Sequence, residues 1–222
     1  MYIIGITGGI ACGKSMVSYE LSKYGSKIIS ADNIAHWQME PGGEIYESYI
    51  NHFGKQILTE DGQLDRKKIG SIVFNDKSEL EWINQTTHPI ILKYIRERLV
   101  KYQNSGISLV VLDVPLLYEV GWENECDEVW VVYLKHNRQL ERLIERNNLT
   151  EEEAESRIKV QMSVKEKRRM ADRIIDNNGY RKTTRKQIKK IMKLKFPHLF
   201  AKYEEQRRKY EIRRIERLLG ID

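Results

Sequence analysis

Short apolar runs alternate with longer amphipathic segments over the first 180 residues of the chain. The runs are rich in β-branched residues, which is typical of buried strands. They are residues 2–7, 26–32, 109–113, 128–134 and 173–176. Because near-continuous apolar strands separated by helices are typical of parallel sheets covered on both faces, the pattern predicts an α/β fold with a five-stranded parallel sheet.

Residues 33–106 interrupt this alternation with helical spacing and few strand signals. We expect helices there at residues 34–49, 66–74 and 89–102. Because ligands of open α/β sheets bind beyond the strand ends, this helical insertion is predicted to bind an acceptor. The nucleotide-binding core is then expected to comprise residues 1–32, 107–137 and 170–180.

Residues 138–169 form a second insertion, which is intensely charged. Its pattern predicts two helices that are broken near residues 147–150. Thr150 followed by Glu153 fits a capping box, which predicts that the second of these helices begins there.

A glycine cluster between the first strand and the following helix fits G-x-x-x-x-G-K-[ST] at every fixed position. In such a loop, backbone N–H groups surround the β-phosphate, Lys14 binds the β- and γ-phosphates, and the Ser15 hydroxyl is a Mg²⁺ ligand. A glycine-rich turn with a coincidental Lys-Ser is the alternative, but the flanking strand and helix oppose it. The residues expected to bind the nucleotide are Gly8, Gly9, Ile10, Ala11, Cys12, Gly13, Lys14, Ser15 and Met16. The sequence therefore predicts a P-loop NTPase of three-layer α/β/α architecture.

Cys12 lies inside this loop, where two interpretations are open. As a small residue at a small-residue position it would be inert. Alternatively, neighbouring N–H groups and Lys14 lower the pKa of its thiol, and ATP would then protect Cys12 from alkylation.

Two carboxylates follow predicted strands beside the loop. Phosphoryl transfer needs an activated acceptor hydroxyl and a metal ion held in line, and carboxylates supply both. Asp32 leads into the acceptor insertion, which suits a general base. Asp113 follows four apolar residues and suits a Mg²⁺ ligand. A helix N-cap or a surface carboxylate is the alternative for each of them.

The charge of the chain is unevenly distributed. The whole chain carries a net charge of +6, but residues 181–222 hold fifteen Lys and Arg against five Asp and Glu, which leaves 23 against 27 for residues 1–180. This basic tail contains apolar positions at helical spacing and is divided by Phe196 and Pro197, so it predicts two helices. It could pack on the acidic body of its own chain, bind RNA, or lie on an anionic membrane.

No apolar run approaches the roughly 20 residues that a membrane-spanning helix requires. The first residues lack the features of a secretory signal, and the chain has only two cysteines, Cys12 and Cys126, in no metal-binding or disulfide pattern. These features predict a cytoplasmic protein.

Several segments, in order along residues 2–180, resemble those of the dephospho-coenzyme A kinase family. They are Ile4-Gly5-Ile6-Thr7-Gly8-Gly9-Ile10, Ser30-Ala31-Asp32-Asn33-Ile34-Ala35, Leu64-Asp65-Arg66, His88-Pro89, Asp113-Val114-Pro115-Leu116-Leu117-Tyr118-Glu119, Gln139-Leu140-Glu141-Arg142 and Ala171-Asp172-Arg173-Ile174-Ile175-Asp176. The resemblance implies transfer of the γ-phosphate of ATP, with Mg²⁺, to the 3′-hydroxyl of the ribose of dephospho-coenzyme A. Two departures, Ala11-Cys12 and Met16, leave every fixed loop group in place.

The resemblance also implies site residues. Asp32 is the base by this comparison, and the acceptor site would include His88, Pro89, Leu116, Tyr118 and Glu119. For His88 and Pro89 a plain alternative is the start of a helix, with proline in its first turn.

Arg138, Arg142 and Arg146 recur every four residues and so share one helix face. Such a face is usually solvated, but in a kinase it would form a lid that stabilises charge on the transferring group. Arg142 matches the family's lid arginine and is predicted to be catalytic, whereas Arg157 and Gln161 are weaker candidates.

Two other functions remain open at this point. A kinase of another nucleoside monophosphate would have the same loop and lid. A P-loop switch protein would bind RNA or a membrane through the basic tail. The sequence predicts no oligomeric state.

Overall fold

The computed structural model describes residues 1–219, apart from the side chains of Phe74, Ile215, Glu216, Leu218 and Leu219. The chain divides into two compact units, one formed by residues 1–28 together with those from 107 onward, and one formed by residues 29–106.

Five strands form one sheet, and the prediction of a five-stranded parallel α/β fold is confirmed. The strands are β1 (Tyr2–Thr7), β2 (Lys27–Ser30), β3 (Leu109–Asp113), β4 (Glu128–Tyr133) and β5 (Arg173–Asp176). Their order is β2-β3-β1-β4-β5, and β1 pairs in parallel with β3 (Ile4 opposite Val111) and with β4 (Ile6 opposite Trp130). The chain runs from the central strand β1 toward one edge of the sheet, and from its neighbour β3 toward the other edge. The loop after β1 therefore lies where the strand order reverses, which is where open α/β sheets bind ligands.

The core of the first unit surrounds the central strands. Ile4, Ile6 and Trp130 are fully buried, and the helix α1 (Lys14–Ser22) adds Val17 and Leu21 to the same cluster. Each of these side chains stabilises the fold by about 1.5–3 kcal/mol through burial. The phosphate loop is thus anchored at both ends in rigid packing.

The second unit is helical. Its helices are α2 (Ala31–Gln38), α3 (Glu44–Phe53), α4 (Arg66–Asn75) and α5 (Lys77–Asn104), with a short 3₁₀ helix at Lys55–Ile57. The prediction of one helix over residues 34–49 is wrong, because Pro41 and Gly42 separate α2 from α3 and Gly42 adopts a left-handed conformation with φ 87°.

Helix α5 differs most from the prediction. It begins at Lys77, capped by the Asp76 side chain, and continues through Pro89, so the interpretation of Pro89 as a first-turn residue is wrong. A proline inside a helix costs about 3 kcal/mol. The buried stripe of Ile91, Ile95 and Leu99 on the same helix outweighs that cost.

The charged insertion forms three helices rather than two. They are α6 (His136–Asn147), α7 (Glu151–Lys159) and α8 (Val164–Met170). The predicted capping box at Thr150 and Glu153 is confirmed at the start of α7. A second box, at Ser163 and Glu166, starts α8. We call the segment of α6, α7 and the connection to residue 163 the lid.

The basic tail forms α9 (Arg181–Lys195) and α10 (Pro197–Leu219), as its pattern predicts. Its first part packs on the body of the same chain. Ile188 and Met192 of α9 are buried in the central core, and Tyr203 of α10 lies 4.4 Å from Tyr24 between ring centres. Arg185 pairs with Glu20 at 2.7 Å.

The last residue of α9 closes an ionic cluster at the amino-terminal ends of β1, β4 and β5. Buried Glu128 on β4 accepts hydrogen bonds from Lys195, from Arg173 at 2.9 Å and from the Tyr2 hydroxyl at 3.2 Å. These bonds lower the pKa of Glu128 despite its burial, which on its own would raise it. Contact of the tail with its own body is therefore present for α9 and the start of α10.

Among the helices of residues 1–219, none combines the length and the apolar character needed to cross a membrane.

We predict opposite outcomes for two truncations of the tail. Removal of residues 181–222 deletes Ile188, Met192, Phe196 and Leu199 from the core, which together contribute about 6–12 kcal/mol. That loss is comparable to the whole stability of a typical domain, so this variant should melt at least about 15 °C lower or fail to fold. Removal of residues 205–222 alone should shift the circular-dichroism melting temperature by less than about 3 °C. Equal melting of the two variants would contradict the packing of α9.

Candidate functional site

The phosphate loop joins β1 to α1 through two left-handed residues. Ala11 has φ 59° and Gly13 has φ 91°, and α1 begins at the next residue, Lys14. Left-handed turns of this kind direct successive N–H groups to one side, which forms an anion-binding concavity at the positive end of the helix. A Cβ atom on Gly13 would lie 2.4 Å from the Asn177 side-chain nitrogen, so the position requires glycine for space as well as for conformation.

The loop borders a cavity of about 390 Å³ in the first unit. Its lining residues are Ala11, Cys12, Gly13, Lys14, Ser15, Met16, Arg142, Arg146, Asn177, Gly179 and Arg181. Four of these residues are cationic, and no described lining residue is a carboxylate. The cavity therefore suits a strongly anionic ligand such as the phosphate chain of a nucleotide. Gly8, Gly9 and Ile10, which the motif also includes, do not line it.

Asn177 braces the loop from the end of β5. Its side-chain nitrogen donates to the Cys12 carbonyl at 2.8 Å, and its side-chain oxygen accepts from Thr184 at 3.0 Å. The residue is only 4% exposed. Because its amide is paired on both sides, Asn177 holds the loop between Cys12 and Gly13 in a fixed conformation.

The three lid arginines have different partners. Arg142 donates to the Asn177 carbonyl at 3.4 Å, and Arg146 also faces the cavity. Arg138 instead donates to the Asn178 carbonyl. Arg157, a weaker candidate, does not line the cavity, whereas Gln161 contacts the phosphate loop directly by accepting from the Ile10 N–H at 2.9 Å.

Cys12 is fully buried. Burial raises the pKa of its thiol to about 11, and the opposing effects of Lys14 and of nearby N–H groups are smaller. The geometry favours the interpretation of Cys12 as an inert, space-filling residue.

Asp113 ends β3 and contacts α1. Its Oδ2 accepts a hydrogen bond from the Ser18 hydroxyl at 2.7 Å, and Ser18 lies one turn beyond Ser15 on the same helix. The carboxylate and the Ser15 hydroxyl are hard oxygen ligands of the kind that Mg²⁺ prefers. Within residues 1–219, no group of three or more acidic, His or Cys side chains could hold a metal. A Mg²⁺ ion here would therefore take further oxygen ligands from phosphate groups and water.

Asp32 lies in the second unit and is exposed. Its predicted position at a strand end is wrong, because β2 ends at Ser30, whose side chain caps α2 and accepts from the Asn33 N–H. Asp32 thus belongs to the first turn of α2, where the helix dipole favours a negative charge.

The predicted acceptor residues have varied surroundings. His88 and Pro89 lie in the middle of α5, and burial lowers the pKa of His88. Tyr118 is buried, and burial raises its pKa to about 12. Leu116 is partly buried in the turn that follows β3.

Glu119 has structural partners. It pairs with Lys167 at 2.8 Å and accepts from the Met162 N–H at 3.1 Å. Lys167 is fully buried and also donates to the Pro115 carbonyl at 2.7 Å. Burial lowers the pKa of Lys167, while the Glu119 carboxylate opposes that shift.

Sequence reasoning missed Asn177, Lys167 and Arg181 as residues of this region. Asn177 directly follows a predicted strand, and a polar residue at that end of a parallel sheet could have been marked as a candidate. Lys167 and Arg181 lie in strongly basic segments, where no spacing distinguishes them from solvated neighbours.

Comparisons with known proteins agree on one family. A family model described as dephospho-CoA kinase matches residues 2–183. A dephospho-CoA kinase of Carboxydothermus hydrogenoformans is 48% identical over 190 residues, which cover 86% of this chain and 92% of that protein. Two solved structures each cover 86% of this chain. A Thermus thermophilus protein is 28% identical with a TM-score of 0.73 over 96% of its length, and a dephospho-CoA kinase from Campylobacter jejuni is 32% identical with a TM-score of 0.65 over 95% of its length.

We predict that Cys12 resists alkylation in the folded protein. Iodoacetamide reacts with the thiolate, and a pKa of about 11 reduces the thiolate fraction near neutral pH by about 100-fold relative to an ordinary cysteine. Mass spectrometry of the Cys12 peptide should show alkylation at least about 100-fold slower than in urea-unfolded protein, with or without ATP, and faster as the pH rises toward 11. Rapid alkylation that ATP prevents would instead support a reactive thiolate.

Proposed function

The chain belongs to the dephospho-CoA kinase family, and we propose that its phosphate loop and Asp32 direct the family reaction to the 3′-hydroxyl of the ribose of dephospho-CoA. The chain carries out ATP-dependent phosphorylation of dephospho-CoA in coenzyme A biosynthesis. The observation that supports our assignment of the ATP site is the cavity beside the loop, with four cationic side chains and no carboxylate among its described lining residues.

The cationic side chains act on the phosphates in this proposal. Lys14 binds the β- and γ-phosphates as a point charge. Arg142 stabilises charge on the transferring phosphoryl group, and its hydrogen bond to the Asn177 carbonyl restricts the guanidinium to the cavity. Both side chains lower the energy of the transition state because they are positioned before the reaction begins.

Ser15 and Asp113 would hold Mg²⁺. Bound Mg²⁺ neutralises phosphate charge and keeps the leaving group in line. The hydrogen bond from Ser18 fixes the Asp113 carboxylate against α1, which limits the rotamers available to it.

Asp32 is the general base in this proposal. Its exposed carboxylate can accept the proton of an acceptor hydroxyl, and it begins the helical unit that the sequence assigns to the acceptor. His88, Pro89, Leu116, Tyr118 and Glu119 remain proposed acceptor residues by resemblance. Tyr118 is buried and Glu119 is paired with Lys167, so in this proposal both shape the segment that follows β3 rather than bind the acceptor through a charged group.

We place the reaction in the cytoplasm. Mg-ATP is available there, and the two cysteines of the chain are free thiols, as expected in a reducing compartment.

We predict that Asp32→Asn abolishes most turnover without loss of nucleotide binding. The amide keeps the shape but cannot take a proton, so kcat should fall by about 10²–10⁴-fold, as for other general bases. ADP release with dephospho-CoA as acceptor measures turnover, and calorimetry measures Mg-ATP binding. Background ADP release is expected with AMP or CMP as acceptor.

Glu40→Gln is a matched control, because Glu40 is an exposed carboxylate just beyond the same helix. It should keep normal turnover. Intact turnover in Asp32→Asn would remove Asp32 from the mechanism, whereas preference for AMP or CMP would contradict the acceptor.

We propose a second role for the outer part of the tail, which is binding of single-stranded RNA. Residues 205–214 are all exposed, and five of these ten residues are Lys or Arg. Within residues 205–214 the exposed large apolar residues are Tyr210 and Ile212, which lie about 200° apart around a helix. A membrane-surface helix needs one continuous apolar face, whereas cations with an aromatic ring suit a nucleic acid. This support favours RNA over a membrane.

We predict that replacing Arg207, Arg208, Arg213 and Arg214 by Gln weakens RNA binding and leaves kinase turnover unchanged. Each phosphate contact contributes about 0.7 to the slope of log affinity against log salt for a single strand, so the slope should fall by up to about 3. Fluorescence anisotropy of a labelled oligonucleotide measures it.

The control for this experiment removes the same charge elsewhere. Lys67, Lys68, Lys77 and Lys101 are exposed in the helical unit and can be replaced by Gln. Three outcomes would overturn the RNA proposal. The full chain could bind anionic vesicles but not RNA, it could bind neither, or the arginine variant and the lysine control could lose equal RNA affinity.

A further inference from the structure

One residue of the phosphate loop has both of its backbone polar groups bound by lid side chains. The Ile10 N–H donates to the Gln161 side-chain oxygen at 2.9 Å, and the Ile10 carbonyl accepts from the Gln139 side-chain nitrogen at 2.9 Å. Gln139 lies on α6 and Gln161 follows α7, so two separate segments of the lid hold the two peptide groups on either side of the Ile10 Cα atom.

The chemistry of the backbone fixes the orientation of both amides. An N–H can only donate, so Gln161 must present its oxygen, and a carbonyl can only accept, so Gln139 must present its nitrogen. The Ile10 backbone therefore requires an acceptor from Gln161 and a donor from Gln139, each at 2.9 Å.

The surroundings of the loop leave little freedom for this arrangement. Gln139 is 2% exposed, and a Cβ atom on Gly9 would lie 2.5 Å from its side-chain nitrogen and 2.6 Å from Val164. Lid and loop are in direct contact at Gly9, where a larger residue would push them apart.

The hydrogen bonds also divide the loop into two parts. The Ile10 N–H is bound by Gln161 and Ile10 does not line the cavity, whereas every residue from Ala11 to Met16 does. Gln139 precedes Arg142 by three residues on α6, so the helix that holds the loop also carries the arginine of the cavity.

We propose that Gln139 and Gln161 are positioning residues, which hold the two peptide groups flanking Ile10 away from the nucleotide and thereby set the N–H groups of the following loop residues for phosphate binding. The proposal rests on the assignment of the loop as the ATP site. It makes phosphate binding and the position of the lid depend on each other, since movement of either glutamine leaves an Ile10 polar group unpaired.

The test exchanges both glutamines for glutamate in the full-length chain. A carboxylate accepts but does not donate, so Gln161→Glu keeps its hydrogen bond with the Ile10 N–H, whereas Gln139→Glu faces the Ile10 carbonyl without a donor. Both variants add one negative charge beside Ile10, and Gln139→Met, which adds no charge, tests the loss of the donor by itself. Gln206→Glu on exposed α10 is the control for a charge change elsewhere.

We expect Mg-ATP affinity, measured by calorimetry without acceptor, to be about tenfold lower in Gln139→Glu than in Gln161→Glu. The KM for ATP should rise in parallel, while kcat at saturating ATP should change by less than about threefold, as for a loss of ground-state binding. If Gln139→Glu does not fold, Gln139→Met provides the neutral variant and should bind Mg-ATP about tenfold more weakly than the unmodified chain.

Equal affinities of the two glutamate variants, or a lower melting temperature of Gln139→Glu with unchanged Mg-ATP affinity, would overturn the proposal. Calorimetry does not involve the acceptor, so its outcome is separate from that of the proposed chemistry at Asp32. If the unmodified chain binds Mg-ATP but shows no turnover, the proposed chemistry at Asp32 is contradicted and the proposal for the two glutamines is not.

Discussion

A loop that points backbone N–H groups at an anion binds it well only if the loop is held in shape before the anion arrives. In this protein, side chains from β5 and from the lid supply the restraint. Asn177 binds the Cys12 carbonyl from the end of β5, and Gln139 and Gln161 bind Ile10 from the lid. Because the loop is already fixed by these bonds, little reorganisation is needed when phosphate binds.

The rest of the first unit follows from that restraint. Because β1 is the central strand and is tightly packed, the end of the loop that joins β1 is fixed in position. The cations around the cavity, such as Lys14 and Arg142, would repel one another without a ligand, and the packed frame keeps them together. Packing of the core therefore offsets the repulsion between these cations when no ligand is bound.

The sequence predicted the sheet, the loop and most helices because each has a local cause. Continuous apolar runs identify buried strands, and fixed glycine spacing identifies the loop. The start of helix α5 was predicted wrongly because burial of Ile91 and Ile95 in the folded protein outweighs the tendency of Pro89 to end a helix. This burial cannot be inferred from the residues next to Pro89 in the sequence. Asp32 was assigned to a strand because Ala31 continues the apolar run, although Ser30 is already the helix cap.

The residues that sequence reasoning missed share a different cause. Asn177 and Lys167 act through contacts with residues that are distant along the chain, so their partners are visible only after folding. The signal for Asn177 was its place after a strand, which is general to this class of sheet. Arg142 could be named because its helical spacing and the family resemblance agree, while nothing in composition distinguishes Lys167 from Lys165, the other lysine of α8.

The burial of Lys167 has a mechanical consequence for the enzyme. An ammonium group sealed between Glu119 and the Pro115 carbonyl cannot leave without entering water and abandoning both acceptors, so α8 is an anchor rather than a moving part. Glu119 also holds the Met162 N–H. Only residues 160–163 separate the end of α7 from α8, so the lid is tied closely to this anchor at its C-terminal end.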